Sequence, residues 1–261
     1  MMGPVEAAGG VGERVLEPIM AGDPSPAPVR DGFGLRILRS LLVGYTRLVR
    51  RVAPAGAIWD VGRFLGLGAL EAGWMSVRDE FDGLEQARAR HEFEDVAGMD
   101  LGLEGSWQAH FLVEQGQALP AAASCPATMA LLSQIQGLRG AYFSVMGPGT
   151  LLRPHAGPNA SILRAHLTLR TPEPIGAAGL EVDGRRIEHR AGEAFVFDDT
   201  YLHSAWNRGA SERATLMLDL QRPLPAWFRP LDAAVQALWG LHPARRGGLA
   251  RLIELDAARN G

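Results

Sequence analysis

From residue 107 onward the chain breaks into short segments whose side chains alternate between apolar and polar, and in two of them the polar side carries guanidinium, imidazole and hydroxyl groups. In residues 161–170, Leu163, Ala165, Leu167 and Leu169 share one face, and Arg164, His166, Thr168 and Arg170 share the other. In residues 212–221, Ala214, Leu216, Leu218 and Leu220 alternate in the same way with Arg213, Thr215, Met217 and Asp219. A period of two dictates a β-strand with one face committed to an apolar core. The opposite face is either solvated or lines a pocket, and the pattern alone leaves both open. Residues 107–113, 140–146 and 193–197 read as further strands, and a helix is expected over 127–136. Residues 180–188 read as a hairpin around Asp183-Gly184, because both central positions of a type I′ turn need positive φ. Seven or so short strands in about 115 residues, punctuated by Gly and Pro, predict a mainly β protein with flanking helices, built on a double-sheet jelly roll.

The segments outside that core divide the rest of the chain. Residues 1–32 are rich in Gly, Ala and Pro and are expected to form a flexible leader. Residues 33–106 are expected to be a helical region packed on the core, residues 107–223 the core itself, and residues 224–261 a helical tail with candidates at 231–241 and 248–258. Within 35–52, apolar residues recur at helical spacing with Arg36, Arg39, Arg47, Arg50 and Arg51 between them. Such a basic amphipathic helix either lies on an anionic membrane surface or docks on the protein's own sheet. A second helix is expected over about 71–90, with Trp74, Val77, Phe81 and Leu84 on one stripe.

Composition removes several function classes. All 26 basic residues are arginine, so a Schiff-base lysine, a P-loop lysine and a lysine general base are excluded. The single cysteine, Cys125, permits neither an internal disulfide nor a thiolate cage, which fits a reducing cytosol, and it is expected to be a buried apolar group. A net charge of -3 and a pI near 6.2 offer nothing for nucleic acid to bind. No run resembles a signal peptide or a membrane span, so a soluble cytoplasmic protein is expected, with peripheral contact to the inner membrane left open by residues 35–52.

Two histidines follow turn-rich stretches: His155 in Pro148-Gly149-Thr150-Leu151-Leu152-Arg153-Pro154-His155-Ala156-Gly157, and His203 in Phe197-Asp198-Asp199-Thr200-Tyr201-Leu202-His203. Both would sit at the mouth of one barrel, where two neutral imidazoles can hold a divalent metal with neighbouring positions open. A polar strand face carrying Arg164, His166 and Arg213 suits a dicarboxylate, since arginine grips a carboxylate through paired charge-assisted hydrogen bonds. Asp198, Asp199 and Asp219 are conceivable further ligands, but their positions suit turn and strand-end hydrogen bonding. His189, at a hairpin edge, and His91, His110 and His242 receive no role.

The ordered set Trp107-x-x-x-Phe-Leu, Cys125-Pro126-x-Thr128, Phe143-Ser144, Pro148-Gly149-Thr150, Pro154-His155-x-Gly157, Leu163-Arg164-x-His166-Leu167, Phe197-Asp198-Asp199-x-x-x-His203, Trp206-Asn207 and Arg213 resembles the aspartyl/asparaginyl β-hydroxylase family over about residues 107–223. The resemblance implies an Fe(II)- and 2-oxoglutarate-dependent dioxygenase on a double-stranded β-helix, a cupin-like core, that uses O2 to hydroxylate an unactivated C–H bond. It implies His155 and His203 as the metal ligands. It further implies Arg213 and Ser144 at the far carboxylate of 2-oxoglutarate, and Arg164 and His166 at the near carboxylate or the substrate's acid group. Gly157 stands where most enzymes of this chemistry carry a third, carboxylate ligand; in the resembling family glycine is usual there and water takes the position, although chloride, and hence halogenation, is conceivable. Some family members have an arginine two residues before Arg164, where this chain has Ile162, which weakens the case for a peptidyl aspartate. The expected target is first the β-carbon of an aspartate-like or other free, carrier-bound or peptidyl amino acid, and second an acyl lipid such as lipid A met at a membrane surface. A jelly-roll module that binds a metal or an acid without turnover is the non-enzymatic alternative.

Overall fold

The computed structural model describes residues 33–86, 91–92 and 103–240. The expected leader at 1–32, the candidate helix at 248–258 and His242 lie outside them. In chain order the elements are α1 (Phe33–Val52), β1 (Ile58–Trp59), α2 (Leu67–Ala72), α3 (Trp74–Gln86), β2 (His91–Glu92), β3 (Leu103–Glu104), β4 (Trp107–Glu114), β5 (Gln117–Ala118), α4 (Pro126–Leu132), β6 (Leu138–Met146), β7 (Thr150–His155), β8 (Ile162–Arg170), β9 (Ala178–Val182), β10 (Arg185–Glu188), β11 (Ala194–Phe197), β12 (His203–Asn207), β13 (Arg213–Gln221) and α5 (Arg229–Gly240).

The strands form two antiparallel sheets. The larger runs β1-β11-β8-β13-β6-β4-β2 with β5 beside β4, and the smaller runs β10-β9-β12-β7-β3. Consecutive strands repeatedly cross from one sheet to the other: β6 is in the larger and β7 in the smaller, β11 in the larger and β12 in the smaller. That crossing is the double-stranded β-helix, or cupin-like jelly roll, anticipated from the alternating segments.

Alternation then sorts the side chains of the large sheet. Leu163, Leu167, Leu169, Ala214, Leu216 and Leu218 face outward, where they are covered by Leu67, Leu70, Val77, Phe81 and Leu132 of α2, α3 and α4. The other face looks at the small sheet and is filled by Trp107, Tyr142, Met146, Phe197 and Met217 against Leu152, Leu180, Val182 and Ala205. Arg164, His166, Thr168, Arg213 and Thr215 share that inner face, whereas Arg170, expected beside them, lies past a register shift opposite Ala214 and turns outward to pair with Asp82 of α3.

Local details adjust the expected elements. The single helix expected over 71–90 is interrupted at Gly73, where the α2–α3 junction packs closely on α4 and a Cβ would meet Leu131 Cδ1 at 2.7 Å. The helix expected to reach 136 ends at Leu132 and gives way to a turn closing at Gly137, whose φ is +76°. Asp183 and Gly184, with φ of 51° and 72°, make the β9–β10 turn as predicted. Helix α1 docks, but on the C-terminal segment: Tyr45 and Val49 pack with Ala160, Leu224 and Phe228, while Leu41 and Leu48 stay exposed.

Two glycines make the packing testable. A Cβ at Gly179 would meet Trp206 Cζ2 at 2.3 Å across the β9–β12 pair, so Gly179→Ala is expected to cost about 1–3 kcal/mol in urea unfolding as Trp206 is displaced. Gly44, inside α1 with nothing within 4 Å, should behave oppositely, Gly44→Ala stabilising by roughly 0.5–1 kcal/mol.

Candidate active site

The smaller sheet brings the two motif histidines together. His155 ends β7, His203 begins β12, and the two are cross-strand partners with ring centroids 4.2 Å apart. A register shift between His203 and Ala205 loosens the ladder at that point, as a bulge does where a side chain is re-aimed. Each ring is oriented by its own strand: Nδ1 of His155 lies 2.8 Å from the Arg153 carbonyl, and Nδ1 of His203 lies 2.9 Å from the Tyr201 carbonyl. A carbonyl only accepts, so Nδ1 carries the hydrogen in both rings and Nε2 carries the lone pair. Burial, aided by His155 alongside, pushes His203 down to about 3, and burial lowers His155 as well. Both are therefore neutral imidazoles at physiological pH.

The loop before β12 closes over the loop after β7. Gly157 N–H donates to the Asp199 carbonyl at 2.7 Å, and a Cβ at Gly157 would lie 2.6 Å from Asp199 Cγ. The Asp199 carboxylate thus occupies the space a side chain at 157 would need. Burial raises its pKa to about 6 against the opposing pull of Arg164, 3.7 Å away, and its Oδ1 has no hydrogen-bond partner. Asp198, next to it, has the turn role expected from sequence, accepting from the Thr200 amide and hydroxyl and pairing with Arg222. Arg164 is held by Asp219 at 3.0 Å and by the Tyr142 hydroxyl at 3.4 Å. Burial works against its charge, but Asp219, Tyr142 and Asp199 together outweigh burial and raise its pKa.

Further along the same interior, counter-charge runs out. Arg213 is 2% exposed, and neither its Nε nor its Nη1 finds a hydrogen-bond partner. Desolvation lowers it to about 10, so it remains a cation. Register across the large sheet sets Ser144 opposite Thr215 and Thr215 opposite Thr168, a row of hydroxyls one step from Arg213. Ser144 Oγ accepts from Trp107 Nε1 at 2.8 Å, while the hydroxyls of Thr168 and Thr215 have no partner. The next row holds His166, opposite Met217 and Phe195, with both ring nitrogens unpartnered. Beyond it, Arg164 stands opposite Phe197, whose ring lies 5.5 Å from His203. The interior therefore runs from the histidine pair, past His166, to an uncompensated guanidinium.

All six residues singled out from sequence, His155, His203, Ser144, Arg164, His166 and Arg213, face one chamber, the space between the two sheets. Sequence reasoning passed over His189, which is completely buried with its ring 5.9 Å from that of His166. The signal was available: Ile187 packs into the barrel, and a residue two further on points the same way. Asp199 was read for its turn and not for the carboxylate it sets against Gly157. Among the described residues no group of three His, Cys, Asp or Glu side chains is arranged to hold a metal ion. What the small sheet does bring together is one pair of imidazoles, His155 and His203.

The fold class is a double-stranded β-helix, with a histidine pair on the small sheet and two arginines on the inner face of the large one. The profile of the Aspartyl/Asparaginyl beta-hydroxylase family matches residues 71–223, more than half of the sequence, and the chain belongs to that family. The chain is 31% identical over 199 residues to an ornithine lipid ester-linked acyl 2-hydroxylase from Rhizobium tropici, covering 74% of this chain and 70% of that protein. It is 32% identical over 164 residues to human aspartate beta-hydroxylase domain-containing protein 2, covering 59% of this chain and 44% of that protein. Against mouse aspartyl/asparaginyl beta-hydroxylase the match is 30% over 162 residues, 59% of this chain and 21% of that one.

Buried polar groups without hydrogen-bond partners cost stability. Replacing Arg213 by methionine, which fills similar space without charge, is expected to raise the unfolding free energy by about 1–3 kcal/mol, read as a higher denaturant midpoint. Burial holds the folded-state pKa of His166 and His189 well below the ordinary value of 6.5. Below pH 6.5 the unfolded chain binds protons these rings refuse when folded, so their contribution is complete above 6.5 and is lost as pH falls. His189→Phe should make stability below that pH less steep by about 1.4 kcal/mol per pH unit, measured by urea titration from pH 7 to 5.

Proposed function

We propose that the protein is an Fe(II)- and 2-oxoglutarate-dependent hydroxylase in which His155 and His203 hold iron and Arg213 holds the far carboxylate of 2-oxoglutarate. The observation that carries this reading is the pairing, in one interior, of two neutral imidazoles presenting Nε2 with a buried arginine that lacks a counter-charge. Neutral imidazoles suit ferrous iron, and leaving adjacent positions open is what a co-substrate and dioxygen require. When bound, iron with 2-oxoglutarate and O2 supplies the oxidising power to hydroxylate an unactivated C–H bond.

The chain's own residues provide orientation and charge. Arg213 and the neighbouring hydroxyls hold one end of the diacid, His166 stands along its path, and the aromatic and aliphatic lining excludes water. Asp199 offers a carboxylate beside Gly157 that can accept hydrogen bonds from water at the open side of the metal. A buried carboxylate in that place also disfavours chloride, so hydroxylation is the reading supported over halogenation.

For the substrate, an acyl lipid is favoured over the amino acid that the sequence put first. Arg164 already faces Asp219 and Asp199, which leaves it little capacity to grip a further carboxylate, and Ile162 provides no second cation. Similarity to the Rhizobium acyl hydroxylase extends over about three quarters of the chain. Helix α1 exposes Leu41 and Leu48 beside Arg47 and Arg51, the mixed surface that binds anionic interfaces. Arg50 of the same helix donates to the Thr200 carbonyl at 3.0 Å and lies 4.0 Å above the Tyr201 ring, tying α1 to the loop that leads to His203. On this reading the protein works in the cytoplasm at the inner membrane surface.

Equilibrium dialysis should find one iron per chain for the parent protein and none for His203→Ala. Arg213→Met should keep the iron and raise the 2-oxoglutarate requirement by roughly 100-fold or more, the scale of a lost bidentate charge pair. Equal iron loss in both would show the roles to be misassigned, and a protein that binds iron and 2-oxoglutarate without releasing succinate under air would be a binding module. Mass spectrometry after incubation with acyl lipids in anionic vesicles should show a gain of one oxygen on the lipid; the same gain on free or peptidyl amino acids alone would restore the amino-acid reading.

A further inference from the structure

The turn between β10 and β11 folds a fourth imidazole into the chamber, after His155, His203 and His166. Thr168 N–H donates to the Glu193 carbonyl at 3.1 Å and Gly192 N–H donates to the Thr168 carbonyl at 2.9 Å, which pins this turn to the hydroxyl row beside Arg213. His189, just before the turn, is 0% exposed. Its ring is bordered by Phe195 at 5.3 Å and His166 at 5.9 Å, and neither of its nitrogens has a hydrogen-bond partner. Leaving one buried polar side chain unsatisfied is costly, and here Thr168, Thr215, Arg213, His166 and His189 are all left with unpartnered donors in the same space. Apolar packing would be served better by a phenylalanine at 189. A neutral imidazole always has one N–H to donate, and the cation that acts on this ring is Arg213.

We infer that His189 is a co-substrate-binding residue, its ring N–H donating to the carboxylate that Arg213 holds, so that the far end of the diacid is gripped by a guanidinium and an imidazole together. This rests on the reading of the chamber as a 2-oxoglutarate site and adds to it a residue that the motif resemblance did not include. Its consequence is selectivity: the second donor rewards an acid at the far end of the ligand and gives nothing to a keto acid that ends in a methyl group.

The test is a ligand-deletion cycle by calorimetry on the full chain, loaded with Mn(II) in place of iron so that no turnover intervenes. 2-Oxoglutarate is compared with 2-oxopentanoate, which has the same carbon chain without the second carboxylate. His189→Phe should weaken 2-oxoglutarate by roughly ten- to hundredfold, the range for a hydrogen bond to a charged acceptor, and leave 2-oxopentanoate unchanged. His189→Asn, which keeps an N–H, should bind 2-oxoglutarate within about threefold of the parent. Without ligand, the Phe variant should melt higher than the parent, the reverse of what loss of a structural histidine would do; if that variant does not fold, His189→Leu carries the same comparison. Unchanged 2-oxoglutarate affinity in the Phe variant, with affinity lost in Arg213→Met, overturns the role of His189 while leaving the chamber's function intact. Equal weakening of both ligands also overturns it, since that reports a change of cavity shape. A parent protein that binds neither ligand overturns the 2-oxoglutarate reading and this inference with it.

Discussion

A guanidinium buried without a counter-charge is the constraint around which this barrel is arranged. Taking Arg213 out of water is costly, and in most interiors an aspartate or glutamate would stand beside it. Here it sits on β13, between β6 and β8 in the large sheet, and the neighbouring inner positions hold hydroxyls and an imidazole. The outward face of the same strands carries the leucine-rich core under α2, α3 and α4, and burial of that core offsets the cost. The strand can be rigid because one face is committed to packing, and that rigidity lets the other face carry a buried charge.

The two sheets contribute different chemistry. The small sheet presents a pair of imidazoles whose Nδ1 atoms are tied to their own strands, while the large sheet presents cations and hydroxyls. Desolvation is the common cause of their protonation states: it keeps His155, His166, His189 and His203 neutral and pushes the Asp199 carboxyl upward. Arg164 is the exception, because Asp219 and Asp199 supply it with opposite charge. The chamber therefore has one compensated and one uncompensated arginine, and that asymmetry distinguishes its two ends.

Helix α1 stands apart from the barrel's internal logic. Its buried stripe is spent on Leu224 and Phe228 of the C-terminal segment, and its exposed side mixes Leu41 and Leu48 with Arg47 and Arg51. Arg50 couples it to Thr200 and Tyr201, three and two residues ahead of His203. A surface that contacts the outside is thus joined by a single side chain to the loop that positions a candidate metal ligand.

Alternation in residues 161–170 and 212–221 was enough to indicate strands, their apolar faces and the polar face of Arg164, His166 and Arg213, because side-chain direction in a strand depends only on parity. The Asp183-Gly184 turn and the burial of Cys125 were legible for similarly local reasons. Parity cannot say which face looks inward, nor which strands are neighbours. That His155 and His203 are cross-strand partners, that Asp199 fills the space over Gly157, and that Arg164 is neutralised while Arg213 is not all depend on segments far apart in sequence meeting across two sheets. Local preference carries no information about those distances, so only tertiary packing decided which of this chain's polar groups were left without partners.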